Sequence, residues 1–317
     1  MKAAQIIGYG GPEVMRVNEV DKPTPAEGQI LVEVHAAAVN PFDVKVRDGA
    51  ARPMAELNFP TTLGGDVAGV VAALGKGVTG FQLGQEVYGQ AGALSGQGSF
   101  AEFTPVKAEQ LAAKPSSLDF TAAAALPLVG CSVYQALVDH INLQAGQKIL
   151  IHGGAGGIGS VAIQIAKHLG AYVATTASAA DADFVKSLGA DEVIDYRAQD
   201  FAELLEDYDA VFDTVGGETN RKSYTILKSG GALVSMAAQP DDDLVKKYDV
   251  NYTAQFTRTT TERLTKIAEL VDAGKLKVHV DKVFPLDQAA ESLEYQKTGH
   301  PRGKVAIKIK SGVPEGN

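Results

Sequence analysis

The sequence contains a single cysteine, Cys131, among 317 residues. One cysteine excludes an intramolecular disulfide and any metal site built from several cysteines. The chain also lacks a run of about 18 apolar residues, the length that a membrane-spanning helix needs. Its first residues lack the apolar core of a signal peptide. We therefore expect a protein of the cytoplasm that has no membrane partner.

Positive charge is also in short supply. Lysine and arginine together number 29 against 38 aspartates and glutamates, which gives a formal net charge of -9. Nucleic acids and anionic membranes bind to clustered lysines and arginines, and the sequence has no such cluster. We expect a small-molecule substrate and no nucleic acid as partner, although one local positive site would be enough for a small anionic ligand.

The N-terminal part of the chain is irregular. Up to about residue 120, short strand-like runs such as "QILVEVHAAAV" (29–39) alternate with turns rich in glycine and proline. Alternating apolar and polar residues are typical of a half-buried strand, and the frequent turn residues keep the strands short. This pattern predicts a small, mostly β domain over residues 1–120.

The pattern changes at about residue 121. Strand-like and helix-like runs then alternate, as in "KILIHG" (148–153) followed by "GSVAIQIAKHL" (159–169). The alternation predicts an α/β fold with a doubly wound parallel sheet over residues 121–274. Residues 275–317 return to strand, helix and strand, and "KVAIKIK" (304–310) alternates like a strand of an antiparallel sheet. We expect this last segment to complete the N-terminal domain.

The richest motif is a stretch with five glycines in seven residues, 153–159. Gly154, Gly156 and Gly159 match G-x-G-x-x-G between a predicted strand and a predicted helix. In such a motif one glycine permits a tight turn, one lets a pyrophosphate touch the backbone, and one lets the helix pack close to the strand. The helix N-terminus offers unpaired N–H groups to the phosphates. We predict a dinucleotide cofactor; the alternative is a glycine-rich turn that binds nothing.

The second strand of the predicted parallel sheet indicates which dinucleotide is bound. It ends in Ala177 and Ser178, where an NAD-binding unit usually has an acidic residue that holds the ribose 2′-OH. An uncharged pocket with a hydroxyl admits a 2′-phosphate, so these residues favour NADPH over NADH. Asp181 follows closely, and NADH becomes the better interpretation if its carboxylate reaches the ribose. The usual positive partner of a 2′-phosphate is not evident from the pattern.

The order of a small β domain, a glycine-rich unit and a C-terminal return resembles the medium-chain dehydrogenase/reductase superfamily. Within it, the chain looks most like the zinc-free quinone oxidoreductases, which include ζ-crystallin-like enzymes, and the alkenal/enone reductases. The segments that carry this are "AAVNPFDVKVRDG" (37–49), "LGGDVAGVV" (63–71), "IHGGAGGIGSVAIQIAKHLGA" (151–171), "SLGADEVIDYR" (187–197), "DAVFDTVGG" (209–217) and "GKVAIKIK" (303–310). The resemblance implies a GroES-like catalytic domain and a Rossmann domain. It also supports a homodimer, paired through the strand candidate at 249–257.

The same resemblance places the zinc ligands of the metal-binding branch at Asn40, at Gly65 and Asp66, and near Leu128. A catalytic zinc needs about three protein ligands of the N, S or O type. The six histidines are scattered singly along the chain, and each is better explained as a surface or structural residue. We therefore expect neither zinc nor flavin.

Without a metal or flavin, the nicotinamide must carry the chemistry, so we expect hydride transfer to a quinone or to the C=C bond of an α,β-unsaturated carbonyl. The resemblance implies that Asn40 and Lys45 lie at the reacting end; Lys45 also fits a solvated surface lysine. The resemblance further assigns Ala155, Gly156, Gly157 and Ile158, with Gly154 of the motif, to the pyrophosphate loop, Ser178 and Tyr196 to the 2′-phosphate pocket, Val215 and Gly216 to the adenine side, and Ser132 to the cofactor site.

Two alternative functions stay open at this stage. The same fold could reduce 2-enoyl thioesters, which calls for a basic patch that binds the phosphates of coenzyme A; Lys246 and Lys247 are the one weak hint of such a patch. A non-enzymatic NADPH-binding protein, of the crystallin or sensor type, is the other. The intact glycine motif argues against the latter.

Overall fold

A computed structural model describes residues 1–92 and 94–310. The chain forms two compact units. Unit 1 comprises Met1–Leu128, Thr259–Asp272 and the chain from Val278 onward, and unit 2 comprises Val129–Arg258 and Ala273–Lys277. Within the described residues, no helix has the length and apolar character that a membrane crossing requires.

The strands are, in chain order, β1 Lys2–Ile6, β2 Met15–Glu19, β3 Gln29–Val39, β4 Thr61–Thr62, β5 Asp66–Leu74, β6 Glu86–Gln90, β7 Phe103–Lys107, β8 Leu111–Ala113, β9 Lys148–Ile151, β10 Tyr172–Ala177, β11 Glu192–Asp195, β12 Tyr208–Asp213, β13 Leu227–Ser235, β14 Asn251–Ala254, β15 Val280–Pro285 and β16 Lys304–Lys308. The α-helices are α1 Pro41–Arg47, α2 Phe120–Ala124, α3 Pro127–Tyr134, α4 Gly157–His168, α5 Ala182–Ser187, α6 Phe201–Leu204, α7 Gly217–Ser223, α8 Asp242–Tyr248, α9 Thr261–Asp272 and α10 Ala289–Thr298. A π-helical segment, Gln135–His140, continues α3.

Unit 1 is built on a seven-stranded sheet in the order β15-β16-β3-β5-β6-β8, with β7 also paired to β3. The C-terminal strand β16 runs antiparallel to β3, with Val305 opposite Val39. This register brings Lys304 beside the residue that follows β3, which is Asn40. A three-stranded sheet, β2-β1-β4, completes the unit, and apolar side chains from β1, β3, β16, α1 and α10 share one buried core.

Helix α9 belongs to unit 1, whereas the sequence pattern grouped residues 259–274 with the parallel sheet. The Tyr88 hydroxyl donates to the carbonyl of Leu264 at 2.5 Å, and Asp272 accepts hydrogen bonds from the backbone N–H groups of Ser116 and Ser117. The apolar face of this helix is buried as its periodicity predicts, at Leu264, Ile267 and Val271. Periodicity identifies the face that a helix buries but not the element that covers it. Residues 121–128, at the other predicted boundary, also lie in unit 1.

Unit 2 contains a six-stranded parallel sheet in the order β11-β10-β9-β12-β13-β14. Counted from β9, this is the order 3-2-1-4-5-6 of the doubly wound dinucleotide-binding fold. The predicted α/β fold is confirmed. Because the order reverses between β9 and β12, the carboxyl ends of these two strands form the crevice where such sheets bind their ligands.

A buried histidine fixes the geometry at this end of the sheet. His152, which follows β9, is 0% exposed, with Nδ1 3.2 Å from Thr176 Oγ1 and Nε2 3.0 Å from Ser223 Oγ. Ser223 gives its own proton to the carbonyl of Thr219, so it accepts from Nε2–H. Thr176 accepts from the N–H of Gly153 and donates to Nδ1. The neutral imidazole therefore joins β9, β10 and α7 in one directed chain of hydrogen bonds.

Burial lowers the pKa of His152 to about 4, against a small opposing effect of the Asp213 charge. A histidine in the unfolded chain takes up a proton near pH 6.5, whereas the folded one resists it. The free energy of unfolding should therefore fall as the pH drops from 6.5 to 4, by about 3 kcal/mol at most from this residue. In His152→Gln this contribution disappears, and urea unfolding at pH 7, 6 and 5 should show a shallower decline. The exposed His168, changed to Gln, is the control and should leave the slope as it is. Equal slopes for wild type and His152→Gln would show that His152 does not stay neutral in the fold.

Candidate active site

The glycine loop of unit 2 lies between β9 and α4. Gly154 needs its hydrogen because an added Cβ would stand 2.1 Å from Thr175 Oγ1. Gly159 needs it because a Cβ would stand 2.2 Å from the carbonyl oxygen of Gly153. Gly154 therefore lets the loop lie against β10, and Gly159 lets the first turn of α4 lie against the loop.

Gly156 differs from these two glycines because the protein itself leaves room for a side chain there. A Cβ at Gly156 would meet no protein atom closer than 3.4 Å, and residues 155–158 are partly exposed. The absence of a side chain keeps this space open for a ligand. Gly157 and Ile158 open α4, where the first N–H groups have no partner within the helix. The loop therefore fits a dinucleotide, whose phosphates would lie against these N–H groups.

A second turn, after β12, lies beside the glycine loop. Thr214 donates its hydroxyl proton to the carbonyl of His152 at 2.9 Å. The fully buried carboxylate of Asp213 accepts from the N–H groups of Val215 and Gly216, both at 2.9 Å. It also accepts from the side chains of Asn220 and Ser235, both at 2.8 Å. Four donors on one carboxylate hold the turn rigidly and leave the Val215 side chain 55% exposed.

The carboxyl ends of β10 and β11 form the third part of the candidate cofactor site in unit 2. Ser178 is buried, and its hydroxyl donates to Asp181 at 2.6 Å. Tyr196 lies next to β10, since its N–H donates to the carbonyl of Ala177 at 3.3 Å, and its ring is 55% exposed. Arg197 is exposed, and its Nε donates to the Tyr196 hydroxyl at 3.3 Å. Arg197 thus places a positive charge beside Tyr196, which the sequence pattern did not reveal although Arg197 follows Tyr196 directly.

Ser132 holds a different position from the other predicted cofactor residues of unit 2. It is fully buried in α3, and its hydroxyl lies 2.7 Å from Thr257 Oγ1. Its carbonyl accepts from the Gln255 side chain at 2.9 Å. The structure therefore brings the glycine loop, Val215–Gly216, Ser178 and Tyr196 to one end of the sheet, whereas Ser132 anchors the segment after β14.

The candidate catalytic residues lie in unit 1, where Asn40 precedes α1. Asn40 is 3% exposed, and its side-chain Nδ2 donates to Asp66 Oδ2 at 2.9 Å. Its backbone N–H donates to Asp43 at 2.8 Å in a capping box that begins the helix. The other oxygen of Asp66 accepts from the N–H of Leu128 at 2.9 Å. Asn40, Asp66 and Leu128, assigned from the sequence to three separated zinc-ligand positions, thus lie together.

The donor set at these three positions does not fit a zinc ion. It consists of an amide, a carboxylate and a backbone N–H, and the ammonium of Lys304 lies 3.5 Å from Asp66 Oδ2. Within residues 1–92 and 94–310, no group of three His, Cys, Asp or Glu side chains is placed to hold a metal.

Ion pairs with α10 hold one face of α1, and Lys45 lies on the opposite face. Arg47 is fully buried, and its guanidinium pairs with Glu294 of α10 and with Asp48, both at 2.7 Å. Lys297 of α10 pairs with the same Asp48 at 2.7 Å. Lys45 stands on the opposite, exposed face of this anchored helix.

Partly exposed aromatic side chains lie beside α1. The Tyr9 ring packs edge-on against Phe59 with centroids 4.9 Å apart, and its hydroxyl accepts from the N–H of Leu57 at 3.2 Å. Tyr9 and Phe42 are both partly buried against the core that contains α1. Exposed carbon surface of this kind suits a flat conjugated ligand.

Burial shifts the pKa values of two aspartates beside Asn40 in unit 1. The pKa of Asp43 is raised to about 7, chiefly because burial disfavours its charged form and despite the N–H group of Asn40. Burial also raises the pKa of Asp66, against the opposing effect of the Lys304 ammonium.

Two family models match the chain. Residues 26–116 match the family model "Alcohol dehydrogenase GroES-like domain" and residues 188–307 match "Zinc-binding dehydrogenase". The tomato 2-methylene-furan-3-one reductase is 37% identical over 97% of this chain and 79% of its own length. The chloroplastic NADPH-dependent alkenal/one oxidoreductase of Arabidopsis thaliana gives the same three values.

Solved structures show the fold directly. The quinone oxidoreductase from Coxiella burnetii superposes with a TM-score of 0.90 at 34% identity, covering 98% of this chain and 99% of that one. The Escherichia coli quinone oxidoreductase complexed with NADPH gives a TM-score of 0.88 at 28% identity, covering 97% and 100%. The chain belongs to the medium-chain dehydrogenase/reductase superfamily, among the quinone oxidoreductases and alkenal/one oxidoreductases.

Proposed function

We propose that this protein is an NADPH-dependent oxidoreductase that transfers hydride to quinones or to the C=C bond of α,β-unsaturated carbonyls. The observation that carries the proposal is the open space at Gly156, at the N-terminus of α4 and the reversal point of the sheet. The names of the relatives supply the reaction class. Neither 2-enoyl thioester reduction nor a non-enzymatic role is favoured by any feature of the described residues.

The residues of unit 2 bind and orient the cofactor in this proposal. Gly157 and Ile158 offer backbone N–H groups to the pyrophosphate, and the turn at Val215 and Gly216 borders the adenine side. Ser178, Tyr196 and Arg197 surround the 2′-phosphate. When bound, the nicotinamide supplies a hydride from its C4.

The residues of unit 1 serve the acceptor. Negative charge develops on the acceptor oxygen as hydride arrives, and a fixed donor there lowers the barrier. Asn40 has a second Nδ2 proton beyond the one it gives to Asp66, and Lys45 presents an ammonium on the exposed face of α1. Conjugation in the acceptor spreads the incoming charge, so one or two such donors suffice. We propose that neither zinc nor flavin takes part and that the protein acts in the cytoplasm, although chloroplastic relatives exist.

The reaction is tested with a panel of quinones, enones and simple alcohols in buffer with EDTA. We expect NADPH to be oxidised by quinones or enones at an undiminished rate after chelation, because the site contains no metal donor set. Asn40→Ala should lower kcat by about 100-fold, the usual effect of losing one charge-stabilising donor. Lys45→Ala separates two roles: a higher KM for NADPH indicates cofactor binding, and a lower kcat at saturating NADPH indicates acceptor activation.

Oxidation of simple alcohols with NADP⁺, together with no reaction on any quinone or enone, would contradict the proposed reaction. Loss of activity together with about one zinc per chain would contradict its independence of metal. Unchanged kinetics in both Asn40→Ala and Lys45→Ala would contradict the residue assignment.

Cofactor preference depends on two opposing charges. Arg197 attracts a 2′-phosphate, whereas the carboxylate of Asp181, 2.6 Å from the Ser178 hydroxyl, repels it. We expect Arg197→Ala to lower kcat/KM for NADPH by about ten- to hundredfold, the worth of a charge-assisted hydrogen bond, with little effect on NADH. Asp181→Asn should raise kcat/KM for NADPH. Arg221, exposed in unit 2 and paired with Asp241, is the matched arginine, and its alanine variant should change neither value. A wild-type enzyme that prefers NADH, or an Arg197→Ala variant that loses both cofactors equally, would refute this assignment.

We also propose a homodimer in which β14 pairs with its copy. β14 is the edge strand of the parallel sheet, and an unpaired edge exposes a row of backbone N–H and C=O groups. Gln255 donates its N–H to Ser235 of β13 at 2.8 Å. Alternate residues of a parallel strand face the same neighbour, so the N–H groups of Tyr252 and Ala254 face outward.

The pairing is tested with proline. Ala254→Pro removes an outward N–H and leaves the bonds to β13 intact, so we expect a folded monomer by light scattering at micromolar concentration. Ala254→Ser keeps the N–H and should remain dimeric. A monomeric wild type, or a dimeric Ala254→Pro variant, would rule out pairing through β14.

A further inference from the structure

Unit 1 encloses a group of charged side chains that have no role in the proposed hydride transfer itself. Lys304 of β16 is 5% exposed, Asp66 is 0% exposed and Asp43 is 2% exposed. All three surround Asn40, which is 3% exposed. Lysine is rarely buried, because removing an ammonium from water is costly unless it is paired.

The ammonium of Lys304 is held by three oxygens. It donates to the side-chain oxygen of Asn40 and, at 3.0 Å, to the carbonyl of Val39, and it lies 3.5 Å from Asp66 Oδ2. The same oxygen of Asp66 accepts the Asn40 Nδ2 proton at 2.9 Å. Both ends of the Asn40 amide therefore have a charged partner: its oxygen accepts from the Lys304 ammonium, and its nitrogen donates to the Asp66 carboxylate.

This double contact determines which way the amide faces. If the amide rotated by half a turn, its NH₂ group would meet the ammonium and its oxygen would meet the carboxylate, so both contacts would become repulsive. A neutral side chain at position 304 would leave only the weaker preference set by Asp66. Burial lowers the pKa of Lys304, whereas the nearby charges of Asp66 and Asp43 raise it.

The ammonium also excludes a second cation from the same place. A divalent ion bound by Asp66 and the Asn40 oxygen would stand within a few ångströms of Lys304, where like charges repel strongly in a medium of low dielectric constant. Those two oxygens already face Lys304. The matched family model is named "Zinc-binding dehydrogenase", but in this chain the Lys304 ammonium excludes a zinc ion from this place.

We propose that Lys304 is a positioning residue, whose ammonium takes the place of a metal ion beside Asn40 and holds the Asn40 amide in its working orientation. The second part of this proposal rests on the proposed function of Asn40. The first part concerns charge alone and can be tested without an assay of activity.

The test replaces the ammonium and then returns it. Lys304→Ala leaves a cavity next to an unpaired carboxylate, and removing one partner of a buried pair should lower Tm by roughly 10 °C. Propylammonium fits that cavity and should raise both Tm and kcat of this variant, with saturation. Sodium and tetramethylammonium, at equal ionic strength, should do neither. Before rescue, kcat should be about 100-fold below wild type, as expected when a reacting group loses its position.

Two further variants keep the test decisive. Lys304→Met fills the cavity without a charge, so it should show the low kcat and no response to propylammonium. Lys308→Ala removes an exposed lysine from the same strand and should behave like wild type. The double variant Asp66→Asn/Lys304→Met removes both charges, so Tm should recover while kcat remains low.

The outcomes separate the claims. No propylammonium-specific rise in Tm would overturn the role of the ammonium as the fixed charge of the site. A Tm rescue without kcat rescue, or full recovery of kcat in the double variant, would overturn the positioning role. If wild type reduces no quinone or enone, the proposed function fails, but the Tm response still decides the first part. Tight binding of zinc by wild type would overturn the exclusion of a metal.

Discussion

Phosphate oxygens reach a backbone N–H group only where no side chain stands between them, and unit 2 is organised around this requirement. Gly154 lets the loop lie against β10, Gly159 lets α4 lie against the loop, and Gly156 keeps the outer side of the loop open. Two buried residues hold the loop and its neighbouring turn in place. His152 connects the loop to β10 and α7, and Asp213 holds the turn after β12 with four hydrogen bonds. Both groups are buried, so their polar contacts are costly to break.

The reacting side depends on a different kind of constraint. Asn40 begins α1, and three buried charged side chains, Asp43, Asp66 and Lys304, contact it. Arg47 anchors the same helix to α10 through its ion pair with Glu294. The structure thus places ionic contacts deep in unit 1 where apolar packing would serve stability equally well or better. Such contacts are expected where the orientation of the Asn40 amide matters more than stability. Holding that orientation is the role that we infer for Lys304.

The sequence predicted the features that depend on local pattern. The glycine spacing and the alternation of strands and helices identified the parallel sheet, and the alternation in 304–310 identified β16 as a partner for an antiparallel sheet. Contacts between distant positions could not be found in this way. Lys304 and Asn40 are separated by 264 positions, and a lone lysine in a strand looks like an ordinary exposed residue. The element that covers α9 was missed for the same reason, since periodicity identifies the buried face of a helix and not the element packed against it. Arg197 was missed although it directly follows Tyr196, because the pattern does not show which way its side chain turns.

Direct hydride transfer without a metal is the central claim of this account. It is tested most directly with NADPH that carries deuterium at the transferred C4 position, EDTA-treated protein and an enone in ordinary water. The account predicts one deuterium at the β carbon of the product, and solvent hydrogen at the α carbon. A product that has only solvent hydrogen at the β carbon, or a reaction that starts only when zinc is returned, would contradict it.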